Sequence, residues 1–432
     1  MKFTRVFACM ALAGLAGSAY ATNGYFSHGY GMKAKGMAGA STASSDDAFG
    51  GANNPAAMAF AGNRFDLGAD LFSPRREASN SNFGGGGAVT SDSDSNYFLV
   101  PEFGYNHMLN ANTALGVTVY GNGGMNTDYA ALGGAFGTAN LLGGSGSLGI
   151  DLTQLIIAPT AAFKLAPNHS IGIAPLLGYQ RFAATGLQGF TGISNSPTNV
   201  TENGHDDAFG YGVRIGYMGK ITPTVTIGAA YASKMDFQEF DKYKGLFAEQ
   251  GDFDIPENYN LGVAWQATPV VKLALDYQRI NYADVASVGN PSGDILNCTL
   301  MGGTNAANCL GGSQGAGFGY SNIDVWKLGM EYKASQNMTY RAGYSHSDNP
   351  ISGSDTLETT FNIIAPAVIT DHITLGFTYT LASGDEVTMS YMHGFENDVS
   401  AARHANFNAG QPSVDTIKMY QNSLGIQYSW KM

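Results

Sequence analysis

Gly311-Gly312-Ser313-Gln314-Gly315 has the glycine and serine spacing of a nucleophile elbow. That chemistry needs a strand-to-helix turn that exposes the serine, with a histidine and an acid set beside it by the fold. Here the motif sits in a glycine-rich loop next to Cys309, no convincing Ser-His-acid set accompanies it, and it reads as a chance match. The eight histidines include no HExxH motif and no pair at metal-ligand spacing. His28, His107, His169 and His205 are scattered, as solvated side chains or side chains lining a watery interior are. Gly84 to Gly87 neither follows a strand tightly nor opens a helix, so it is a flexible loop rather than a phosphate cradle. Nothing here calls for a catalytic residue, a metal or a cofactor. The enzyme alternative, an outer-membrane lipase or protease, would need the missing constellation on adjacent strands.

The start of the chain sets the compartment. Lys2 and Arg5 precede a short apolar run, Val6 to Gly17, and Ala19-Tyr20-Ala21 fits a small-x-small cleavage site. Residues 1–21 are therefore expected to be a secretory signal peptide, too short in its apolar run to span a bilayer. Cys9 leaves with it. In the oxidising compartment beyond, Cys298 and Cys309, with ten residues between them in NCTLMGGTNAANC, are expected to form one disulfide.

Composition narrows the class further. The 432 residues include 58 glycines, 23 tyrosines and 24 phenylalanines, yet only 13% are charged and the formal charge is −12. So acidic a chain gives no sign of a nucleic-acid partner. No later run approaches the ~18 apolar residues of a membrane helix. A large secreted β protein or an outer-membrane barrel remains, and glycine- and tyrosine-rich strands of weakly polar average suit the barrel.

The elements that must position any site are strands. Val271, Leu273, Leu275 and Tyr277 alternate with Lys272, Ala274, Asp276 and Gln278; Ile373, Leu375, Phe377 and Tyr379 alternate with His372, Thr374, Gly376 and Thr378. One apolar and one polar face, repeated, gives a sandwich core or a lipid-facing barrel. Segments of about 10–15 residues, aromatics near their ends, and loops that alternate short and long all favour the barrel. About fourteen such segments occur, from 64–75 to 419–430. Arg181, Arg214, Lys272, Asp276, Glu331 and Lys333 fall within strands and are expected to face the lumen, because Arg or Lys against lipid at mid-bilayer costs about 2–4 kcal/mol.

One stretch breaks the alternation. DDAFGGANNPA at 46–56 has no hydrophobic period, two acids, and Asn53-Asn54 before Pro55. Proline lacks a donor and pushes Asn54 out of the helical region, so this is a turn.

Several stretches, in order, resemble the FadL-type outer-membrane transporters of long-chain fatty acids and other hydrophobic compounds. They are Gly24-Tyr25-Phe26, GYGMKAKGMAGASTASSDDAFGGANNPAAM, GVTVYGNGGMNTDY at 116–129, MDFQEFDKYKGLF at 235–247, DIPENYNLGVAW at 254–265 and SYMHGF at 390–395. The resemblance spans nearly the whole mature chain. It implies an all-β fold, an antiparallel transmembrane β-barrel of about 14 strands in the bacterial outer membrane, with residues 22–62 as a hatch plugging the lumen and 63–432 as the barrel with long outer loops. It also implies capture of an apolar ligand between outer loops, a buried pocket beside the hatch, and sideways release where the third strand is kinked. Surrounding lipid and lipopolysaccharide are the other implied partners of a monomer.

Carried onto this chain, Asn54, Pro55 and Ala56, with Asp46 and Asp47, are the hatch anchor. Gly121, Gly123 and Gly124 sit where the third strand leaves its alternation, and glycine there marks a bulge or close approach. Tyr129, Leu132, Phe136, Leu141 and Leu142 make loop 125–148 too apolar for a solvated spacer, so they are expected to contact ligand, with Phe26, Phe182 and Phe190; Leu187 and Ile193 could join them. Arg181 is the candidate for a ligand carboxylate. GAGFGYSNID, before the tenth strand, has no Lys or Arg, so a two-cation clamp is not evident and neutral hydrocarbons, aromatics included, stay open as ligands. A porin for polar solutes is the remaining transport alternative.

Overall fold

Alternation decides which way each side chain points. In the strand Val271–Ile280, Leu275 is 46% exposed while its neighbour Asp276 is 1% exposed. The same reversal runs through strand after strand, with leucine, isoleucine, tyrosine and tryptophan outside and Asp66, Asp70, Gln180, Thr374 and Gln427 inside. The structure is a computed structural model that describes residues 23–355 and 357–432. The expected signal peptide, residues 1–21, lies outside the described residues.

Fourteen long strands make the wall among the described residues: β1 Arg64–Asn80, β2 Phe98–Asn110, β3 Thr113–Tyr129, β4 Leu148–Ala166, β5 His169–Thr185, β6 Asp206–Lys220, β7 Val225–Ala232, β8 Asn258–Thr268, β9 Val271–Ile280, β10 Ile323–Lys333, β11 Met338–Ser347, β12 Asp371–Thr380, β13 Glu386–Arg403 and β14 Ser413–Lys431. Each pairs antiparallel with the next, and β14 returns to β1 from Arg64↔Lys431 to Asn80↔Asp415, so the sheet closes and leaves no edge. Two short strands, Val89–Asp92 and Asp236–Phe237, add to β1 and β6. The β2–β3, β4–β5, β6–β7, β8–β9, β10–β11 and β12–β13 connections are short turns; the connections at the opposite end are long. No helix among the described residues is long and apolar enough to cross a membrane. The outward surface explains why none is needed: Leu67, Leu71, Ile173, Leu177, Leu261, Leu328, Leu375 and Leu424 form an exposed apolar belt, with Trp265, Trp326, Tyr340 and Trp430 among its aromatics.

The lumen is filled by the N-terminal segment. Between Asn23 and Ala59 only Asp46 is exposed. An irregular backbone inside a barrel must find partners for its N–H and C=O groups. Wall side chains supply them. Asp276 accepts from the Ser41 and Thr42 amides at 2.9 and 2.8 Å, Asp66 from Ala48 at 2.7 Å, Thr374 from Ala38 at 2.9 Å and Gln427 from Met32 at 2.9 Å. Asn106 donates to the Met58 and Gly62 carbonyls. Charges enter as pairs: Lys35 with Asp70 at 2.9 Å, Lys33 with Glu386 at 2.9 Å and Arg341 with Glu331 at 2.7 Å. The polar face predicted from the sequence thus binds the plug.

Arg214, Asp276 and Glu331 are buried on the lumen side as expected, and Lys272 pairs with Glu331 at 3.1 Å. Lys333 keeps the lumen-facing register but is exposed at the end of its strand. Arg181 corrects the expectation. Gln180 and Phe182 point inward, so the two-residue period turns Arg181 outward with Ile173 and Leu177. It stands near the outer end of β5, where its guanidinium meets His205 Nδ1 at 2.8 Å.

Candidate functional site

Three loop segments without strand period fold back into the barrel mouth at the long-loop end. Residues 238–253 bring in Phe240, Tyr243, Phe247 and Phe253; residues 285–318 bring Leu310, Ala316 and Phe318; residues 361–369, FNIIAPAVI, bring Phe361 and Ile364. Each large apolar side chain gains about 1.5–3 kcal/mol on leaving water, which drives these loops inward. Of these, Phe247, Leu310, Ala316, Phe318, Phe361 and Ile364, with Phe182 from the end of β5, enclose a pocket also lined by Leu142, Ile150, Leu187, Phe190, Leu246, Ser287 and Gly317. Among the described residues, Ser287 is its one polar side chain and no charged residue lines it. The rings nearly fill it, leaving a cavity volume of about 40 Å³.

Phe182 is the hub. Its ring centroid lies 4.7 Å from Phe247, 4.8 Å from Tyr243 and 5.6 Å from Phe240. From there rings descend toward the plug: Phe247 to Phe253 at 4.9 Å, Phe253 to Tyr25 at 6.2 Å, and Tyr25 to Phe26 at 5.5 Å. Asp252 and Asp254 flank Phe253 in this descent; burial, then the neighbouring Asp254, pushes the Asp252 carboxyl up to about 7. Cys298 and Cys309 are joined, S–S 2.01 Å, and Leu310 enters the pocket directly after the bridge.

The path of rings ends at an interruption in the wall. The β2–β3 ladder runs from Asn110↔Thr113 to Phe103↔Val119 and stops. Beyond it β2 stays paired with β1 through Phe98, and β3 stays paired with β4 through Tyr129, but the two do not pair with each other. A register shift between Gly121 and Gly123 marks the departure. Every residue from Thr118 to Met125 is buried on both faces, which is what a strand bent into the lumen shows. Phe26 bridges Gly123, Ser27 N donates to Asn122 O at 3.1 Å and Gly124 N to Tyr25 O at 3.3 Å. The start of the plug is therefore laid along the bent strand. Ala365-Pro366-Ala367 back the interruption from inside, in a narrow cavity shared with Tyr25, Phe72, Arg76 and Met125.

The structure sorts the residues singled out in the sequence. Leu142, Phe182 and Phe190 line the pocket, Tyr129 and Leu141 are buried in the same core, and Leu132 packs against it. Leu187 lines the pocket as well, and Ile193 packs against its core. Phe26 sits at the far end of the ring path. Phe136 does not join them: the loop tip, with Gly133, Gly134 and Gly137 at positive φ, carries its ring to Phe83 at 5.4 Å. Arg181, facing outward, is not at the pocket either. Asn54 caps the short 3-10 helix Pro55–Ala59, accepting from Ala56 N at 3.1 Å, while its amide donates to Thr42 O at 2.7 Å and to Tyr217 O on β6 at 2.9 Å. Asp46 pairs with Lys33 at 3.0 Å, and Asp47 is buried, accepting from Phe49 N at 3.1 Å. Burial, then the nearby Asp66, pushes the Asp47 carboxyl up to about 7. Ser313 is exposed on a turn, not on a strand-to-helix elbow. Among the described residues no cluster of three His, Cys, Asp or Glu could hold a metal.

Sequence reasoning missed Phe247, Phe253, Ser287, Phe361 and Ile364. The signal was present for part of it: 361–369 carries no charge and is more apolar than loop 125–148, and 240–247 sets Phe240, Tyr243, Leu246 and Phe247 among its three charges.

A family model described as outer membrane protein transport protein (OMPP1/FadL/TodX) matches residues 9–430. No curated protein matches the chain. Among solved structures, the P. putida toluene transporter TodX shares 19% identity at a TM-score of 0.66, with 94% of this chain and 99% of that one covered. A Pseudomonas aeruginosa FadL homologue shares 15% at a TM-score of 0.71, over 94% and 99%. The Ralstonia pickettii toluene transporter TbuX shares 17% at 0.62, over 94% and 99%. At these identities the structural likeness establishes the fold, a plugged barrel, and the family model adds the kinship. The chain belongs to the OMPP1/FadL/TodX family of outer-membrane transport proteins, channels for hydrophobic compounds rather than enzymes.

Proposed function

We propose that this channel takes up neutral apolar molecules, small aromatic hydrocarbons foremost, and releases them sideways into the bilayer. The observation that carries the reading is the pocket lining, in which, among the described residues, Ser287 is the one polar side chain and no charge is present. A carboxylate buried there would lack a partner, at a cost of several kcal/mol; a hydrocarbon loses nothing. That two of the similar structures are toluene transporters supports the same class. The ligand enters among the outer loops and parts the rings around Phe182. It then follows Phe247, Phe253 and Tyr25 and leaves where β2 and β3 are unpaired. Apolar contact along the whole route keeps it out of water, so its own transfer free energy drives passage and no energy source is required.

One observation favours a second reading, long-chain fatty acids. Arg214 and Lys327 line a small polar cavity beside Phe26, where a headgroup could rest while its chain lay along the rings. Competition against a pocket-bound apolar fluorophore separates the two. Displacement by toluene at lower concentration than by a fatty acid is expected. Displacement by the fatty acid alone, abolished in Lys327→Met, would replace the first reading with the second.

A further inference from the structure

The interruption between β2 and β3 leaves two strand edges with backbone groups that no ladder satisfies. One side chain reaches both. Arg76, on the lumen face of β1, donates through Nη1 to Asn126 O on β3 and through Nη2 to Ser95 O on the segment leading into β2. Its guanidinium lies over the Phe98 ring at 5.9 Å. Arg76 is 6% exposed, forms no ion pair among the described residues, and its Nε is buried without a hydrogen-bond partner. The cavity it lines is otherwise mostly apolar, with Tyr25, Phe72, Pro74, Met125 and Met419.

Burying a cation without a counter-charge is costly, and neutral donors could satisfy two carbonyls. What arginine adds is a planar fork that spans two acceptors at once. Weaker ties lie alongside it: Ser95 Oγ donates to Asn126 Oδ1 at 2.5 Å, Asp94 N to Asp128 O at 2.8 Å, and Ser93 bridges Tyr129. We propose that Arg76 is the latch of the wall gap, a positioning residue that holds the 93–96 and 122–129 edges together and sets the rate of sideways exit. A neutral hydrocarbon offers the guanidinium no new partner, so it must pass by loosening one of these two bonds. The latch resists passage without contributing to affinity in the pocket above. The effect on exit rests on the lateral route proposed above; the clamping of the edges does not.

The test uses the full-length protein in lipid vesicles, with N-phenylnaphthylamine as the apolar probe, in Arg76→Met and Arg76→Lys. Hydrogen exchange over 93–96 and 122–129 is expected to accelerate about five- to tenfold in Arg76→Met, the loss of roughly one hydrogen bond, while β6 to β12 are unchanged. Probe transfer into the bilayer rises several-fold, and probe affinity stays within about twofold of wild type. Arg76→Lys keeps the charge but not the fork, and it is expected to behave as Arg76→Met does. Unchanged exchange at the two edges, or an increase shared by the whole barrel, would overturn the latch. Wild-type exchange in Arg76→Lys would overturn the fork as its basis. Faster edge exchange with unchanged probe transfer would keep the clamp on the edges and overturn its control of the exit rate.

Discussion

A Cβ built on Gly123 would lie 1.7 Å from the carbonyl oxygen of Tyr25. The bend in β3 and the start of the plug are thereby one unit: the strand can hold Tyr25 where it is only because residue 123 has no side chain. Tyr25 is also the ring that links Phe253 to Phe26. The same backbone contact that seats the plug thus sets the lower end of the apolar path.

Gly123→Ala tests that coupling. The atom in the way is backbone, not the tip of a flexible side chain, so the N-terminal segment must shift, at about 1–3 kcal/mol of overpacking. The remaining thirteen strands are untouched, and the barrel is expected to fold and keep its resistance to heat-induced unfolding in detergent gels. Uptake of an apolar tracer by whole cells should fall several-fold. Wild-type uptake in a folded Gly123→Ala protein would remove this contact from the path.

Phe182→Ala tests the pocket. The hub ring contacts Phe240, Tyr243 and Phe247. Its loss removes apolar surface worth about 1.5–3 kcal/mol, so affinity for toluene-sized ligands should drop about ten- to a hundredfold in fluorophore displacement. Phe136→Ala, at the loop tip against Phe83, should leave the same affinity unchanged.

The wall was legible because its rule is local. A period of two in Val271–Ile280 or Asp371–Thr380 is visible without any knowledge of neighbours, and the glycines at 121–124 announced the bulge later seen between Gly121 and Gly123. The same rule would have turned Arg181 outward, had its neighbours Gln180 and Phe182 been weighed with it. The inner loops were not legible in this way. Phe253 meets Tyr25 across more than two hundred residues, and nothing in 238–253 or 361–369 has a period that says which way to fold. Their burial is a property of the assembled mouth, and only their apolar content foretells it.

Asn54 makes separable bonds, which allows a finer test of the plug. Its Oδ1 accepts from Ala56 N, and its amide nitrogen donates to Thr42 O and to Tyr217 O. Asn54→Asp keeps the cap and loses the donors; Asn54→Ala loses both, at about 0.5–2 kcal/mol for the cap alone. In Asn54→Asp two carbonyls face a carboxylate, so amide exchange over 41–59 should rise nearly as much as in Asn54→Ala. If Asn54→Asp exchanges like wild type, the anchor is the cap and not the tie to β6.

Asp47 gives the plug a pH dependence whose sign can be worked out. The carboxyl is buried, its neighbours are Asp66, Arg64, Lys33 and Asp46, and burial followed by Asp66 raises it from 3.8 to about 7. A raised value means that the folded plug holds the proton more tightly than the unfolded chain does. The stabilisation is therefore fully present below the ordinary carboxyl value and is lost progressively as pH climbs from there to about 7, above which ionised Asp47 faces Asp66 with no ion pair of its own among the described residues. Hydrogen exchange over 45–50, corrected for the intrinsic pH effect, should show protection falling between about pH 4 and pH 7 and levelling off above that. Asp47→Asn, neutral throughout, should flatten that fall while leaving protection at the lower pH near wild type. Equal pH dependence in the two proteins would assign the titration to another group.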